Sequence, residues 1–349
     1  MGLSRMSSIF LLALCACTTT PPVPKEPIAI QNPATKVPAP ESPQVLHTIA
    51  LASCNRQNLP QPLWRKLQEE KPELFVWMGD AIYADTHDMA LMSRLFQQQL
   101  QQAEYAQFLA TGVPVVGVYD DHDFGMNDVG RDFPEKLVSK DLFLDFIGEP
   151  KDSPRRKRSG IYQAYHFGKD QQRIKVILLD TRYNREKPGA SSDILGEEQW
   201  QWLTRELQGD DAELVLIVSS IQVLPFEHDF EKWENFPKSR ARLLALLDQA
   251  KAPNLALFSG DRHLAELSRL NLPSGREIYE LTTSGLTHSY SQFTDARNKN
   301  SLRVGSVLPR LNYGLVHLNW ESKPATMTLE VRDINRQPII KQTISLKGP

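Results

Sequence analysis

Cysteine is scarce in this 349-residue chain: there are three, and two of them, Cys15 and Cys17, fall within the first 17 positions. Cys54 is therefore alone in the rest of the sequence, and no disulfide framework within that body can staple it. Excess charge of one sign is also missing. Forty basic residues against 42 acidic ones give a net charge of −2, and basic and aromatic side chains are nowhere interleaved, so composition implies no nucleic-acid partner. No Gly-x-Gly-x-x-Gly fingerprint or P-loop occurs, which speaks against nucleotide-dependent transfer. Ser284, in Thr283-Ser284-Gly285, lacks a Gly-x-Ser-x-Gly elbow, which speaks against a serine hydrolase. No apolar run has the length of a membrane-spanning helix, and no internal repeat is visible. What remains, 41% hydrophobic and 23% charged, is ordinary for a globular protein large enough to bury a sizeable core.

The first residues do not read as part of a fold. Arg5 is a thin basic leader, and Ile9 to Ala16 is an apolar stretch too short to cross a bilayer. Leu14-Cys15-Ala16-Cys17 resembles the lipobox of bacterial lipoproteins, which implies cleavage before Cys17 and its lipidation. A plain secretory signal cut nearby is the alternative; either exports the protein. Residues 18–44 carry eight prolines between Pro21 and Pro43, the composition of an extended spacer. The expected organisation is a signal peptide over 1–17, a proline-rich linker over 18–44 and one domain over 45–349.

That domain is organised around Val115 to Asp128. A β-branched apolar run, the pattern of a buried strand, stops at Tyr119-Asp120-Asp121-His122-Asp123, with Asn127 and Asp128 just beyond. Clustered carboxylates repel one another and resist desolvation unless a cation lies between them. Leu74 to Met78 ends in Gly79-Asp80, with Tyr83 and Asp85 following. Leu255 to Ser259 ends in Gly260-Asp261-Arg262-His263, and Thr48 to Ala52 ends in Ser53-Cys54. Four strands that all end in metal-competent side chains point to a metal centre on the loops where open α/β sheets place their clefts.

Strands alternate with helical patterns through the middle of the chain. Helices are expected over 63–70, 88–109, 135–147, 196–207 and 237–250; strands over 161–167 and 174–179 form a hairpin, and another strand spans 214–219. The pattern turns to β at 278–283, 313–319, 327–332 and 339–345, with the last two antiparallel. Pro154 to Ser159 is a basic loop, either solvated or available to an anionic group.

Ser53-Cys54, Gly79-Asp80-x-x-Tyr83, Asp120-Asp121-His122-Asp123, Leu179-Asp180-Thr181-Arg182 and Ser259-Gly260-Asp261-Arg262-His263, in this order, resemble the PhoD-like branch of the metallophosphoesterases. The resemblance spans about residues 47–290. It implies a four-layer α/β/β/α sandwich, here closed by a C-terminal β-hairpin, and hydrolysis of phosphomonoesters or phosphodiesters at a binuclear or larger centre. It also implies ferric iron and calcium as cofactors, with Mn²⁺ or other divalent ions as the alternative. Cys54 and Tyr83 are strongly donating anions suited to Fe³⁺; Asp121, Asp261 and Asn127 are hard ligands suited to Ca²⁺; Asp80 could bridge two ions. His263 is a ligand or a donor to the phosphate. His122 is expected to protonate the leaving alkoxide, or else to orient a ligand. Arg182 would contact a phosphate oxygen or form an ion pair with Asp180 or Glu198, and His228 and His288 are placed on the substrate side. A pair of metal ions would lower the pKa of bound water and clamp the attacking and leaving oxygens. The expected setting is the periplasm, anchored through Cys17 to a bacterial membrane, the outer one by preference. A metal-stabilised binding lipoprotein without catalysis is the competing function. The Cys54-Asn55 pair stands where most metallophosphoesterases carry Asp-x-His, as the PhoD-like branch allows.

Overall fold

The computed structural model describes residues 29–32, 35–209 and 212–348. The expected signal peptide and Cys17 lie outside them. Among these residues the strands form two sheets. In the first, β1 (Glu41–Ser42), β5 (Gln163–Phe167), β6 (Ile174–Leu178), β7 (Leu214–Val218), β8 (Asn254–Ser259), β10 (Glu277–Thr283) and β9 (Ala265–Asn271) lie side by side in that order. The second runs β13 (Pro338–Ser345), β12 (Thr326–Arg332), β11 (Tyr313–Asn319), β2 (Thr48–Ala52), β3 (Leu74–Met78) and β4 (Val115–Val118). β2, β3 and β4 are mutually parallel, as are β6, β7, β8 and β10.

The strands of each parallel block are buried on both faces, so they read as continuous apolar runs. The period of two assigns the faces. Val176, Leu216 and Phe258 point into the core between the sheets. Ile177, Ile217 and Leu257 point to the outer layer made by α6 (Glu197–Gln208) and α7 (Pro237–Asp248). On the other side, α1 (Leu63–Glu69), α2 (Met89–Leu100), α3 (Ala103–Leu109) and α5 (Lys136–Phe146) cover the second sheet, with Trp64 against Phe75 and Trp77. The result is the expected four-layer sandwich, and β12–β13 is the expected terminal hairpin.

Three local expectations need correction. The helix expected over 88–109 is two, because Gln102 turns extended and its side chain donates to the Gln57 carbonyl at 2.6 Å. β9 was not expected: its buried positions include Glu266 and Ser268, which hide the alternation of a strand. The described part of the proline-rich stretch is not a free spacer but a strap on the fold. Ile30 joins the core, the Lys36 carbonyl accepts from Val115 N–H at 2.9 Å, and the Pro40 carbonyl accepts from His166 N–H at 2.7 Å. Extended prolines lack a donor but keep their acceptors, which suits a sheet edge.

The arginines of the basic loop are engaged within the fold, while Lys157 is exposed. Arg155 is buried, donating to the carbonyls of Ile161 (2.6 Å) and Gly117 (2.9 Å) and pairing with Glu149. Arg156 bonds Asp145 and the Glu149 carbonyl. No helix among the described residues is long and apolar enough to cross a membrane.

Candidate metal centre

All the parallel strands of both sheets deliver their C-terminal ends to one rim. Several residues there hold the left-handed backbone region, which few residues other than glycine adopt: Cys54 at φ 58°, Asp80 at 52°, Asp261 at 67° and His263 at 52°. Each lies within four residues of a strand end, where the chain must turn sharply to aim its side chain into the cleft. The glycines ahead of them are needed for approach. A Cβ at Gly79 would sit 2.5 Å from Asp120 Cβ, and one at Gly260 would sit 2.6 Å from the Met78 carbonyl oxygen.

The side chains so placed converge. Tyr83 hydroxyl donates to Asp80 Oδ2 at 3.1 Å, and Cys54 Sγ lies 3.5 Å from the same oxygen. One ligand atom each from Asp80, Asp121 and His122 fall within 4.8 Å of one another, as do those of Asp120, Asp121 and Asp261, and those of Asp121, Asp128 and Glu231. Asp121 belongs to all three groups, which makes it the hub that sequence reasoning had assigned to Asp80. Asn127 lines the same cleft. Beside it the Asp128 N–H donates to Asp121 Oδ2 at 2.8 Å.

The electrostatics suit a cation. Asp80 Oδ1, Asp121 Oδ1, Asp120 Oδ2 and His263 Nδ1 are buried with no hydrogen-bond partner, a costly state that a bound ion would relieve. Burial, reinforced by the Asp121 charge, holds the Asp80 carboxyl well above the usual range; burial with Asp121 opposing Arg262 lifts Asp261 to about 7. Burial and the Asp80 charge likewise push the Cys54 thiol up. Burial keeps His263 neutral, down at about 3, which leaves its ring able to ligate. Asp121 alone falls below the ordinary value: burial opposes its charge, but Arg182, His122 and two backbone N–H groups outweigh it.

His122 projects from a one-turn helix, Asp121–Phe124 (α4), with only 16% of its side chain exposed. Its Nδ1 meets Asp85 at 2.7 Å, so Nε2 is the nitrogen left for the cleft. Burial lowers its pKa, but the Asp85 contact and the charges of Asp80 and Asp121 overcome that and raise it to about 10.

A family model described as PhoD-like phosphatase matches residues 146–329, more than half of the chain. This chain belongs to the PhoD-like phosphatase family. Similar solved structures agree on the fold. One titled "Structure of PhoD" has a TM-score of 0.65 at 18% identity, covering 89% of this chain and 74% of its own. A dimetal phosphatase from Danio rerio has a TM-score of 0.56 at 17% identity over 87% of this chain and all of its own. GAP50, the anchor in the inner membrane complex of Plasmodium, has a TM-score of 0.57 at 13% identity, covering 87% and 90%. No curated protein matches.

Two motif residues of this PhoD-like phosphatase hold the site rather than face it. Asp180 is saturated: one oxygen accepts from Tyr119 hydroxyl (2.5 Å) and Ile161 N–H (2.8 Å), the other from the N–H groups of Arg182 and Tyr183 at 2.9 Å. Arg182 pairs with neither Asp180 nor Glu198 through its side chain, which is wholly buried. It donates to Asp120 at 2.6 Å and Glu231 at 2.5 Å, with Asp121 at 3.8 Å. Its role here is to fix the carboxylates from beneath. His288 does reach the cluster, its ring 4.4 Å from that of His263 and 5.0 Å from Tyr83, with Nε2 unpartnered. His228 is buried and backs onto Phe230.

Sequence reasoning missed Glu231 and Ser284 as members of the site of this PhoD-like phosphatase, and gave Asp128 no role of its own. Glu231 stands on an irregular loop after β7 with no strand-end pattern to flag it. Ser284 directly follows β10, and its hydroxyl lies 2.9 Å from Cys54 Sγ while accepting from His263 N–H at 2.7 Å. The signal for it was present, since β10 is a parallel strand ending in a polar residue at the same rim.

Proposed function

We propose that the enzyme hydrolyses phosphate esters, mono- or diesters, in the periplasm with Fe³⁺ and Ca²⁺ as its ions, Cys54 and Tyr83 serving the iron and the carboxylates of Asp121 and Asp261, with Asn127, the calcium. One observation carries the metal assignment: a thiol, a phenol, aspartates and a neutral imidazole converge with buried oxygens that lack partners. Asp80 reaches both groups. The ions supply charge for the phosphate oxygens and a water acidic enough to attack at neutral pH. The chain itself does the remaining work. His122 holds a proton at Nε2 for the departing alkoxide, and Asp85 keeps that ring oriented through Nδ1. Ser284 fixes Cys54 and the His263 backbone in one frame. Arg182 holds Asp120 and Glu231 in position.

Cys54→Ser tests the iron reading. A thiolate on ferric iron gives a charge-transfer band in the visible. The variant should lose part of that colour, part of its iron and most of its turnover while retaining calcium, by elemental analysis and a chromogenic diester. Full iron and full activity in Cys54→Ser would leave a dinuclear Mn or Ca centre as the better account.

The location rests on the lipobox-like Leu14-Cys15-Ala16-Cys17 and the prolines after it. Cys17→Ala should move the protein from the membrane to the soluble periplasmic fraction without changing its specific activity. A soluble, lipid-free wild type, by fractionation and mass spectrometry, would remove the anchor.

A further inference from the structure

The cleft that opens from Asp121, His122 and Asp261 has a volume of about 550 Å³, and one of its walls is aromatic. The rings follow one another outward from the metal centre. His263 meets Tyr290 at 4.9 Å between centroids, Tyr290 meets Phe293 at 5.4 Å, and Phe293 meets Phe230 at 5.3 Å, all tilted toward edge-to-face. Such a chain of rings is mutually stabilising and stiff. At its outer end the Arg262 guanidinium lies 4.1 Å from the Phe230 centroid and 5.8 Å from that of Phe293. Arg262 is itself 3% exposed and tied to Asn298 at 2.9 Å, so the cation is held in place against one face of Phe230.

Phe230 is nevertheless 41% exposed. A rigid, cation-backed ring facing a cleft leaves apolar area in water that nothing among the described residues covers, and such area on a rim marks a contact for something else. Its position says which part of a substrate that is. The phosphate belongs at the inner end, among the carboxylates and their ions. A group stacked on Phe230 is therefore the alcohol portion of the ester, carried several ångströms outward. Simple phosphate or a short alkyl ester would leave the wall untouched.

We propose that Phe230, Phe293 and Tyr290 form a subsite for the alcohol of the ester, and that the substrates are phosphate esters bearing a planar aromatic group, an aryl ring or a nucleobase. The proposal rests on the hydrolase reading above. A flat ring gains from stacking on Phe230 what a saturated ring of equal size cannot.

The test is a series of competitive inhibitors of bis(p-nitrophenyl) phosphate hydrolysis by the metal-loaded enzyme: methylphosphonate, cyclohexylmethylphosphonate and benzylphosphonate, with thymidine 5′-monophosphate as the nucleobase arm. Benzylphosphonate should bind about tenfold more tightly than methylphosphonate and severalfold more tightly than the cyclohexyl analogue. Thymidine monophosphate that matches or exceeds benzylphosphonate supports a nucleobase, and one that binds like methylphosphonate supports an aryl alcohol. In Phe230→Ala the benzyl-to-cyclohexyl ratio should fall to about one. Phe230→Leu, which keeps apolar bulk, should lose the aromatic advantage while still holding the cyclohexyl group. Equal affinities across the wild-type series, or a ratio unchanged in both variants, would overturn the subsite while hydrolysis continued. A wild type that hydrolyses no ester would overturn the hydrolase reading and the subsite with it.

Discussion

His122→Ala should lower turnover by about 10²–10⁴-fold, the usual scale of general acid help, with the metal content unchanged by elemental analysis. The loss should be greatest for alkyl esters and shrink for p-nitrophenyl esters, whose leaving group departs without a proton. His122 lies within ligand distance of Asp80 and Asp121, so the metal assay matters. An equal loss for both leaving groups together with missing metal would make it a ligand instead. The pH profile adds a sign. The acid acts protonated, so the rate should decline as pH rises through the pKa of His122, which its neighbours lift toward about 10. Ions bound at Asp80 and Asp121 offset two of those neighbours and leave the 2.7 Å contact with Asp85. Asp85→Asn should then move the alkaline limb to lower pH by about one unit.

Arg182→Leu should cost about 3–5 kcal/mol of stability, the penalty for removing one partner of a buried charge set. The guanidinium is the cation on which Asp120 and Glu231 close, with Asp121 nearby, and all of these side chains are buried. Without it Asp120 and Asp121 lose their nearest cation, and Glu231 keeps only its pairing with Arg185. Urea unfolding of metal-free protein is the measurement. Adding Asp120→Asn to Arg182→Leu should restore part of the loss, since one of the repelling charges is gone. A single variant as stable as wild type would mean the cluster is already largely protonated, and Arg182 would lose its organising role.

The strands were legible because both faces of the parallel blocks are buried, so Leu74–Met78 and Leu214–Val218 are uninterrupted apolar runs between polar turns. The site was legible for the same reason, because Cys54, Asp80, Asp121 and Asp261 directly follow such runs. What failed depended on contacts between distant segments. The length of Arg182's reach, across 49 residues to Glu231 and 62 to Asp120, is invisible in a local pattern. Arg155, Arg156 and Arg158 read as a charged loop because their partners, backbone carbonyls, Asp145 and Glu149, carry no mark in the sequence. The strap formed by residues 35–42 was hidden by composition: prolines that disfavour interior strands are tolerated where only their carbonyls are used.

The left-handed backbone at Cys54, Asp80 and Asp261 also limits how this centre can change over evolutionary time. Aspartate and asparagine tolerate that conformation because their short polar side chains bond locally, whereas β-branched residues pay a steric penalty. A drift from Asp80 to Asn stays open to the chain, while a change to Thr or Val is closed by the turn before any ion is considered. Glutamate would add a methylene that the close-packed rim, with Gly79 and Gly260 already at contact distance, has no slack to absorb. Variation in ion preference therefore has freer ground at positions outside these turns, Asn127 and Glu231, than at the strand ends. Relatives that handle other metals are expected to differ there first.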